Sequence, residues 1–448
     1  MKKLTLFFII VFTLINTTFS TTFAFFSPPP ITAPSGILMD AATGDVLYNK
    51  NAYTKMYPAS TTKIMTALLV LEHANLEDKV IIDKDTPFTE GTRIYVMEDE
   101  EFTVEQLLYA LLIESANDAA VALAKHVSGS VEEFAKLMNK RAKELGAKNT
   151  HFVNPNGLPD DNHYTTSYDL AMIAKYAMTI PKFREIVKTI RYQIPPTNKQ
   201  IETRYFKNKN RFLWSTNKIL YKEKWIPIKY DIVEGIKTGY TSVARQCLVA
   251  LAKKDGHSFI TVVLKAEGKN LWVDSRTLID YGFENFKFIQ LTDAKIKTKS
   301  IPIKNSEEKQ LDLLTQNKFY KAIPKDQNLP TINKTITYNK DIKAPIKKGQ
   351  VLGKVTFNFG QRKLGEVNLI AAKSIPAKKG ITSIFYFNNS WVKSIFCYIF
   401  IFILLFLVWR TIITMIRLKK KKRKLLRKKR LKKYSTDYMS LKKHPYRK

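Results

Sequence analysis

The sequence predicts an α/β multidomain chain: strands and helices mixed up to residue 286, a small all-β domain over 287–376, and a C-terminal transmembrane helix over 394–416. Three observations carry this reading. Apolar helical stretches lie between a hairpin pattern at 35–51 and alternating segments from about 230. From 287 the chain turns Lys-rich and alternating, in AKIKTKSIPIK, INKTITYNK and VLGKVTFNF, as short strands do. Then SIFCYIFIFILLFLVWRTIITMI runs 23 residues with one charge, Arg410, which is long enough to span a bilayer. At 448 residues the chain exceeds one ordinary core, so two or three domains are expected.

In chain order, residues 1–26 place Lys2 and Lys3 before an apolar run and small residues. That is the layout of a signal peptide, with Thr22-Phe23-Ala24 as a cleavage site, and it implies export of the bulk of the chain. Pro28-Pro29-Pro30 reads as a stiff spacer, and SGILMDAATGDVLYNKN alternates around a Thr-Gly turn. Residues 60–73 are helical and apolar all round, as a buried central helix would be. Residues 103–127 are helical on both sides of a polar break at Ser115-Ala116-Asn117, and a further helix over about 131–145 ends at Gly146. HFVNPNGLPDDNHYTT is a turn-rich loop, after which Ser167 or Asp169 can cap the helix YDLAMIAKYAM. IVEGIKTGYT precedes a hairpin that turns at Lys254–His257, and a helix near 269–281 ends at Gly282. Residues 377–392 join the β domain to the span, and 417–448 form a basic tail.

With 45% hydrophobic and 25% charged residues the chain is globular, not disordered. Its net charge of +35 suggests nucleic acid, but the distribution argues against that partner. Residues 417–448 carry 17 Lys/Arg against one Asp, so +16 of the total sits in the tail. Thirteen of those bases fall within the 17 residues directly after the span, a cluster that stays cytoplasmic and meets anionic lipid headgroups. The N-terminal domains are then outside and the tail inside. Two cysteines, Cys247 and Cys397, build no disulfide or metal framework, and six scattered histidines have no metal-ligand spacing. No metal or other cofactor is expected.

The chemistry is carried by three short motifs. YPASTTKIM puts Ser60 and Lys63 three residues apart, on one face at the start of a helix. A serine becomes a nucleophile beside a base, and lysine is a base once burial or a neighbouring cation lowers its pKa. The apolar helix supplies the burial and Lys237 the cation. SxxK alone matches many helices. The second motif offers a hydroxyl at Ser115, which can relay a proton, and a carboxamide at Asn117, which can hold a substrate amide. The third, Lys237-Thr238-Gly239 on a strand edge, offers an ammonium and a hydroxyl for a carboxylate, and a glycine that lets a ligand lie close. The motifs come in that order, about 55 and about 122 residues apart, a triple found in penicillin-binding proteins and class A β-lactamases.

The chain resembles the low-molecular-weight penicillin-binding proteins, the serine-type D-alanyl-D-alanine carboxypeptidases. Beyond the motifs, MDAATGDVLYNKNAYTKMYPASTTKIMTALLVLE, LLYALLIESANDAAVALA, HFVNPNGLPDDNHYTTSYDLAMIA, VEGIKTGYTS and LIDYGFENF look like family segments. APIKKGQVLGKV resembles the family's C-terminal β-domain, so the likeness covers about 31–376. It implies a peptidase domain over 31–286, with a central antiparallel sheet flanked by helices and a site between the three motifs. It further implies Ser60 as the acylated nucleophile, Lys63 as its base, and Ser115 and Asn117 completing the proton network and holding the acyl group. Lys237 and Thr238 would bind the terminal carboxylate, and the backbone N–H groups of Ser60 and Tyr240 would form the oxyanion hole. The substrate would be a peptidoglycan stem peptide ending in D-Ala-D-Ala, and β-lactams would be inhibitors.

Some features depart from the family. Certain members carry a basic residue before the last helix that helps fix the carboxylate; here Leu271 falls at that point, with Lys269 and Arg276 as substitutes. The C-terminus reads as a true span where others end in an amphipathic helix, and 191–230 fits the pattern loosely. Two alternatives share the fold: a β-lactamase-like hydrolase and a non-catalytic wall-binding scaffold. The first lacks a Glu-x-x-Leu-Asn segment, and intact motif side chains weigh against the second.

Overall fold

The structure is a computed structural model and describes residues 28–326, 331–378 and 390–440. The signal peptide expected over 1–26 lies outside the described residues. Two compact units divide the chain, one of residues 1–301, 311–340 and 348–373, the other of 302–310, 341–347 and 374–448.

At the centre of the first unit is a five-stranded antiparallel sheet. It is built from β1 (Ser35–Asp40), β2 (Val46–Lys50), β3 (Val233–Thr241), β4 (Arg245–Lys254) and β5 (His257–Ala266), in the order β2-β1-β5-β4-β3. The chain ends of the domain thus meet in one sheet: Ser35 of β1 pairs with Leu264 of β5. β3, which carries the Lys-Thr-Gly motif, lies at an edge. Two-residue alternation sends side chains to both faces, and both are buried. Ile37, Met39 and Val249 belong to one core, Leu38, Leu248 and Ala250 to the other.

The first core surrounds α1 (Lys63–His73), in which every residue from Lys63 to Val70 is buried. Around it pack α2 (Val104–Tyr109), α3 (Asn117–Ser128), α4 (Val131–Glu144), α5 (Ser167–Ala177) and α6 (Pro181–Lys188). α7 (Asn270–Asn285) covers the opposite face. Two expectations need correction. The cap of α5 is Thr166, whose hydroxyl accepts from the Asp169 N–H, and neither Ser167 nor Asp169 takes that part. Gly282 does not end α7, which runs on to Asn285; a Cβ there would come within 2.8 Å of Phe259 and 2.9 Å of Leu38. That glycine lets helix and sheet approach. Residues 191–230, unread from sequence, form two small hairpins, Arg191–Ile194 with Arg204–Lys207 and Lys218–Tyr221 with Lys224–Pro227.

The all-β region begins with β6 (Phe286–Thr292), which pairs with β9 (Phe319–Pro324). A second sheet takes β7 (Lys297–Pro302), β8 (Gln310–Thr315), β10 (Ile332–Tyr338), β11 (Val351–Phe359) and β12 (Arg362–Ala371) in the order β7-β8-β12-β11-β10. Lys321 of β9 reaches Asp45, in the β1–β2 turn, at 2.5 Å. In the second unit, Lys304 pairs with Lys343 and Ile346 with Ile375. The same unit holds α8, a helix of 51 residues over Ser390–Ser440. It is longer than the expected 394–416 because the basic tail continues the helix; Ser394–Leu431 is long and apolar enough to cross a membrane.

Candidate active site

Ser60 lies in a 3₁₀ turn, Ala59–Thr62, that leads into α1. Ala59, just before it, has φ +47°, a left-handed conformation that a residue with a Cβ adopts only under tertiary constraint. Across from it is β3: a Cβ on Gly239 would stand 2.9 Å from the Ser60 nitrogen and 3.1 Å from the Ala59 Cβ. Only glycine lets the strand edge lie this close to the nucleophile.

Lys63 is wholly buried one turn along. Its Nζ lies 3.0 Å from Ser60 Oγ and donates to Asn117 Oδ1 at 2.6 Å and to the Asn156 carbonyl at 2.7 Å. Burial, and then the charge of Lys237, hold this amine well below the ordinary lysine range, with Asp118 opposing. Lys237 is as deeply buried and is pushed down to about 7 by burial and Lys209, against the pull of Glu114. The Lys237 ammonium donates to the Thr238 carbonyl at 3.0 Å.

The Ser-Ala-Asn stretch is set by a change of helix type. α2 runs into a π turn, Ala110–Glu114, and ends on Ser115 at φ +72°. α3 then starts at Asn117. Ser115 is 8% exposed, and among the described residues its hydroxyl has no hydrogen-bond partner. The Asn117 carboxamide is engaged at both ends, since its Nδ2 donates to the Glu90 carbonyl at 2.6 Å while its Oδ1 holds Lys63. Asp118 anchors the stretch, its carboxylate accepting from the N–H groups of Ile94, Val96 and Ala119. Burial nonetheless raises its pKa.

Three contributors were missed from sequence. The Asn156 carbonyl holds Lys63 at 2.7 Å, but a backbone atom leaves no residue-type signal. Gly157, at φ +87°, passes so near Ala59 that a Cβ would lie 2.0 Å from its carbonyl oxygen; the Asn-Pro-Asn-Gly run was the only hint. Thr62 Oγ1 and His163 Nε2 are 2.8 Å apart, and burial lowers the imidazole to about 4, so this contact is neutral at pH 7. Of the substitute basic residues, Arg276 sits over the Tyr230 ring at 4.0 Å and beside Asp280 at 3.8 Å, Lys269 is exposed, and Leu271 is buried. Among the described residues no group of His, Cys, Asp or Glu could hold a metal.

Ser60, Lys63, Asn117 and the edge of β3 thus converge on one point. Residues 23–268 match the family model for D-alanyl-D-alanine carboxypeptidase. The chain belongs to the D-alanyl-D-alanine carboxypeptidase family. A second model, for the penicillin-binding protein 5 C-terminal domain, matches residues 283–377. The carboxypeptidase is 35% identical over 369 residues to the D-alanyl-D-alanine carboxypeptidase DacF of Bacillus subtilis, covering 81% of this chain and 90% of the relative. It is 30% identical to DacA of Haemophilus influenzae over 77% of this chain and 85% of that one. Among solved structures, penicillin-binding protein 5 of Haemophilus influenzae superposes with a TM-score of 0.61 at 28% identity, over 78% of this chain and 99% of that one. A mutant of the Streptomyces K15 DD-transpeptidase matches the peptidase part, with a TM-score of 0.52 at 34% identity over 57% of this chain and 99% of that one. Membership favours the carboxypeptidase over the scaffold and the β-lactamase-like hydrolase.

Proposed function

We propose that this chain is a membrane-anchored serine carboxypeptidase that removes the terminal D-alanine from peptidoglycan stem pentapeptides through an acyl-enzyme on Ser60. The observation that carries the reading is the buried, pKa-depressed Lys63 amine 3.0 Å from Ser60 Oγ. A neutral amine there takes the Ser60 proton as Oγ attacks the penultimate D-alanine carbonyl. The backbone N–H groups of Ser60 and Tyr240 stabilise the oxyanion. Ser115 passes the proton to the departing D-alanine amine, and Asn117 keeps Lys63 in place and meets the acyl group. Lys237 and Thr238 bind the terminal carboxylate. Water then releases the shortened peptide, whereas a β-lactam leaves Ser60 acylated. The N-terminal signal exports the domains, α8 holds them at the outer membrane face, and the basic tail stays in the cytoplasm against anionic lipid.

The test is D-alanine release from a peptide ending in Lys-D-Ala-D-Ala by the full-length protein and by Ser60→Ala. Release by the parent alone, with both proteins folded, is the expected result. Equal release by the variant removes Ser60 from the mechanism. Penicillin labelling of the parent without release from any acyl donor removes the carboxypeptidase reading.

A further inference from the structure

The hairpin of Arg191–Ile194 with Arg204–Lys207 carries a charge arrangement that the proposed peptidase chemistry does not use. Its side chains alternate: Ile194 and Phe206 are buried, while Arg191, Gln193, Tyr205 and Lys207 are exposed. The inner side is fixed to the domain. Tyr192 stacks on Tyr109 with 3.9 Å between ring centres, and Arg204 holds Glu100 at 2.8 Å and the Ile94 carbonyl at 3.0 Å. On the outer side the register sets Arg191 directly opposite Lys207, and Gln193 opposite Tyr205. Residues so placed have Cβ atoms about 5 Å apart, and two like charges there repel.

Among the described residues nothing relieves that pair. Residues 191–230 carry ten Lys/Arg against two Glu. Neighbouring bases are matched, Lys199 with Asp99, Arg204 with Glu100 and Lys209 with Glu114. Arg191 and Lys207 have no acidic partner among the described residues. The Lys207 ammonium instead lies 3.3 Å from the centre of the Trp214 ring, whose Nε1 donates to the Asn208 carbonyl at 2.7 Å. The hairpin also lines an open cleft of about 630 Å³, through Arg191, Tyr192, Gln193, Tyr205, Phe206 and Lys207, with no acidic side chain among them. That size suits a small ligand.

An anion bridging the two strands would turn the repulsion into charge-assisted contacts. Arginine brings a planar fork of donors and lysine a compact point charge, a combination suited to phosphate. Phosphate oxygens accept from several directions, and its charge answers two cations, whereas a carboxylate offers one charge in one plane. Tyr205, 76% exposed, sets a ring and a hydroxyl beside the cations for the organic part of an ester. We propose that this cleft binds a phosphate ester, bridged by Arg191 and Lys207. The site stands apart from the carboxypeptidase reading, so penicillin labelling serves only to show that each variant is folded.

The test is calorimetric titration of the full-length protein in neutral detergent with glycerol 3-phosphate, with lactate, and with phosphatidylglycerol doped into the micelles. One variant is Arg191→Gln with Lys207→Gln. The control is Lys218→Gln with Lys224→Gln, an equal loss of charge at exposed positions of the other hairpin. The phosphate ester should bind the parent more tightly than lactate does. The first variant should lose about tenfold in affinity, the worth of two exposed ion pairs, and the control less than about twofold. A response to the lipid alone, abolished in the first variant, makes the ester a headgroup; a response to glycerol 3-phosphate makes it a soluble or polymer-borne one. Equal affinity in the first variant and the control, lactate bound as tightly as the ester, or no binding of either phosphate by the folded parent overturns the proposal.

Discussion

Gly157→Ala probes the least visible support of the site. At φ +87° an alanine carries a left-handed strain of about 1–2 kcal/mol. Its Cβ would also stand 2.0 Å from the Ala59 oxygen, 2.4 Å from the Ala59 carbon and 2.9 Å from Thr62 Oγ1, where real Cβ contacts stop near 3.0 Å. The loop or the Ala59 segment must retreat by about 1 Å, adding about 1–3 kcal/mol of overpacking. Either movement separates the Asn156 carbonyl from Lys63 or shifts the residue before Ser60. A 1 Å misplacement in a reacting group costs about 10²-fold. The assay is the second-order rate of acylation by a fluorescent penicillin, read beside thermal unfolding. Gly256→Ala is the control, since Gly256 has φ +80° but nothing within 4 Å of its Cβ. It should carry the strain alone and acylate at the parent's rate. A folded Gly157→Ala that acylates as fast as Gly256→Ala refutes the reasoning.

Lys63→Ala should lower penicillin labelling by about 10²–10⁴-fold, the worth of a positioned base; normal labelling would sink the proposed mechanism. For Lys237, with its pKa about 7, the protonated form that grips a carboxylate is lost as pH rises through that value, so kcat/KM should fall on the alkaline side. Lys237→Arg keeps its charge and should remove that limb whatever its absolute rate; a fall still centred near 7 would assign the limb to another group. Arg204 makes a two-pronged pair with buried Glu100 at 2.8 and 3.0 Å. Arg204→Ala should destabilise the folded protein by about 3–5 kcal/mol in urea unfolding, and a loss below 1 kcal/mol would mean that Glu100 finds another partner.

What was legible in the sequence were side chains whose type and spacing carry chemistry. Ser60 and Lys63 on one turn, and Lys237-Thr238-Gly239 on an edge strand, could be read because helix and strand periods are short and local. The supports were not legible, for they act through backbone. The Asn156 carbonyl, the left-handed Ala59 and the π turn before Ser115 arise only once distant segments pack. Gly282 misled for a related reason. Glycine serves chain reversal and close packing alike, and Phe259 and Leu38, which decide between them, are remote in sequence. The Asn117 amide could be read as a substrate contact, but not its engagement with Lys63 and Glu90, which belong to two other segments.

Two amines sealed inside one domain make its folding an acid–base reaction. Unfolded, Lys237 keeps its proton up to about 10.5, and folded it keeps it only to about 7. Between those values the unfolded chain holds more protons, so stability climbs with pH across that window, and below it the domain bears the full cost of the buried charge. Lys63 adds in the same sense. The resting enzyme is therefore least secure in acid. An anion that lets Lys237 hold its proton draws one from solution as it docks, so the heat of binding above pH 7 will follow the ionisation enthalpy of whichever buffer supplies that proton.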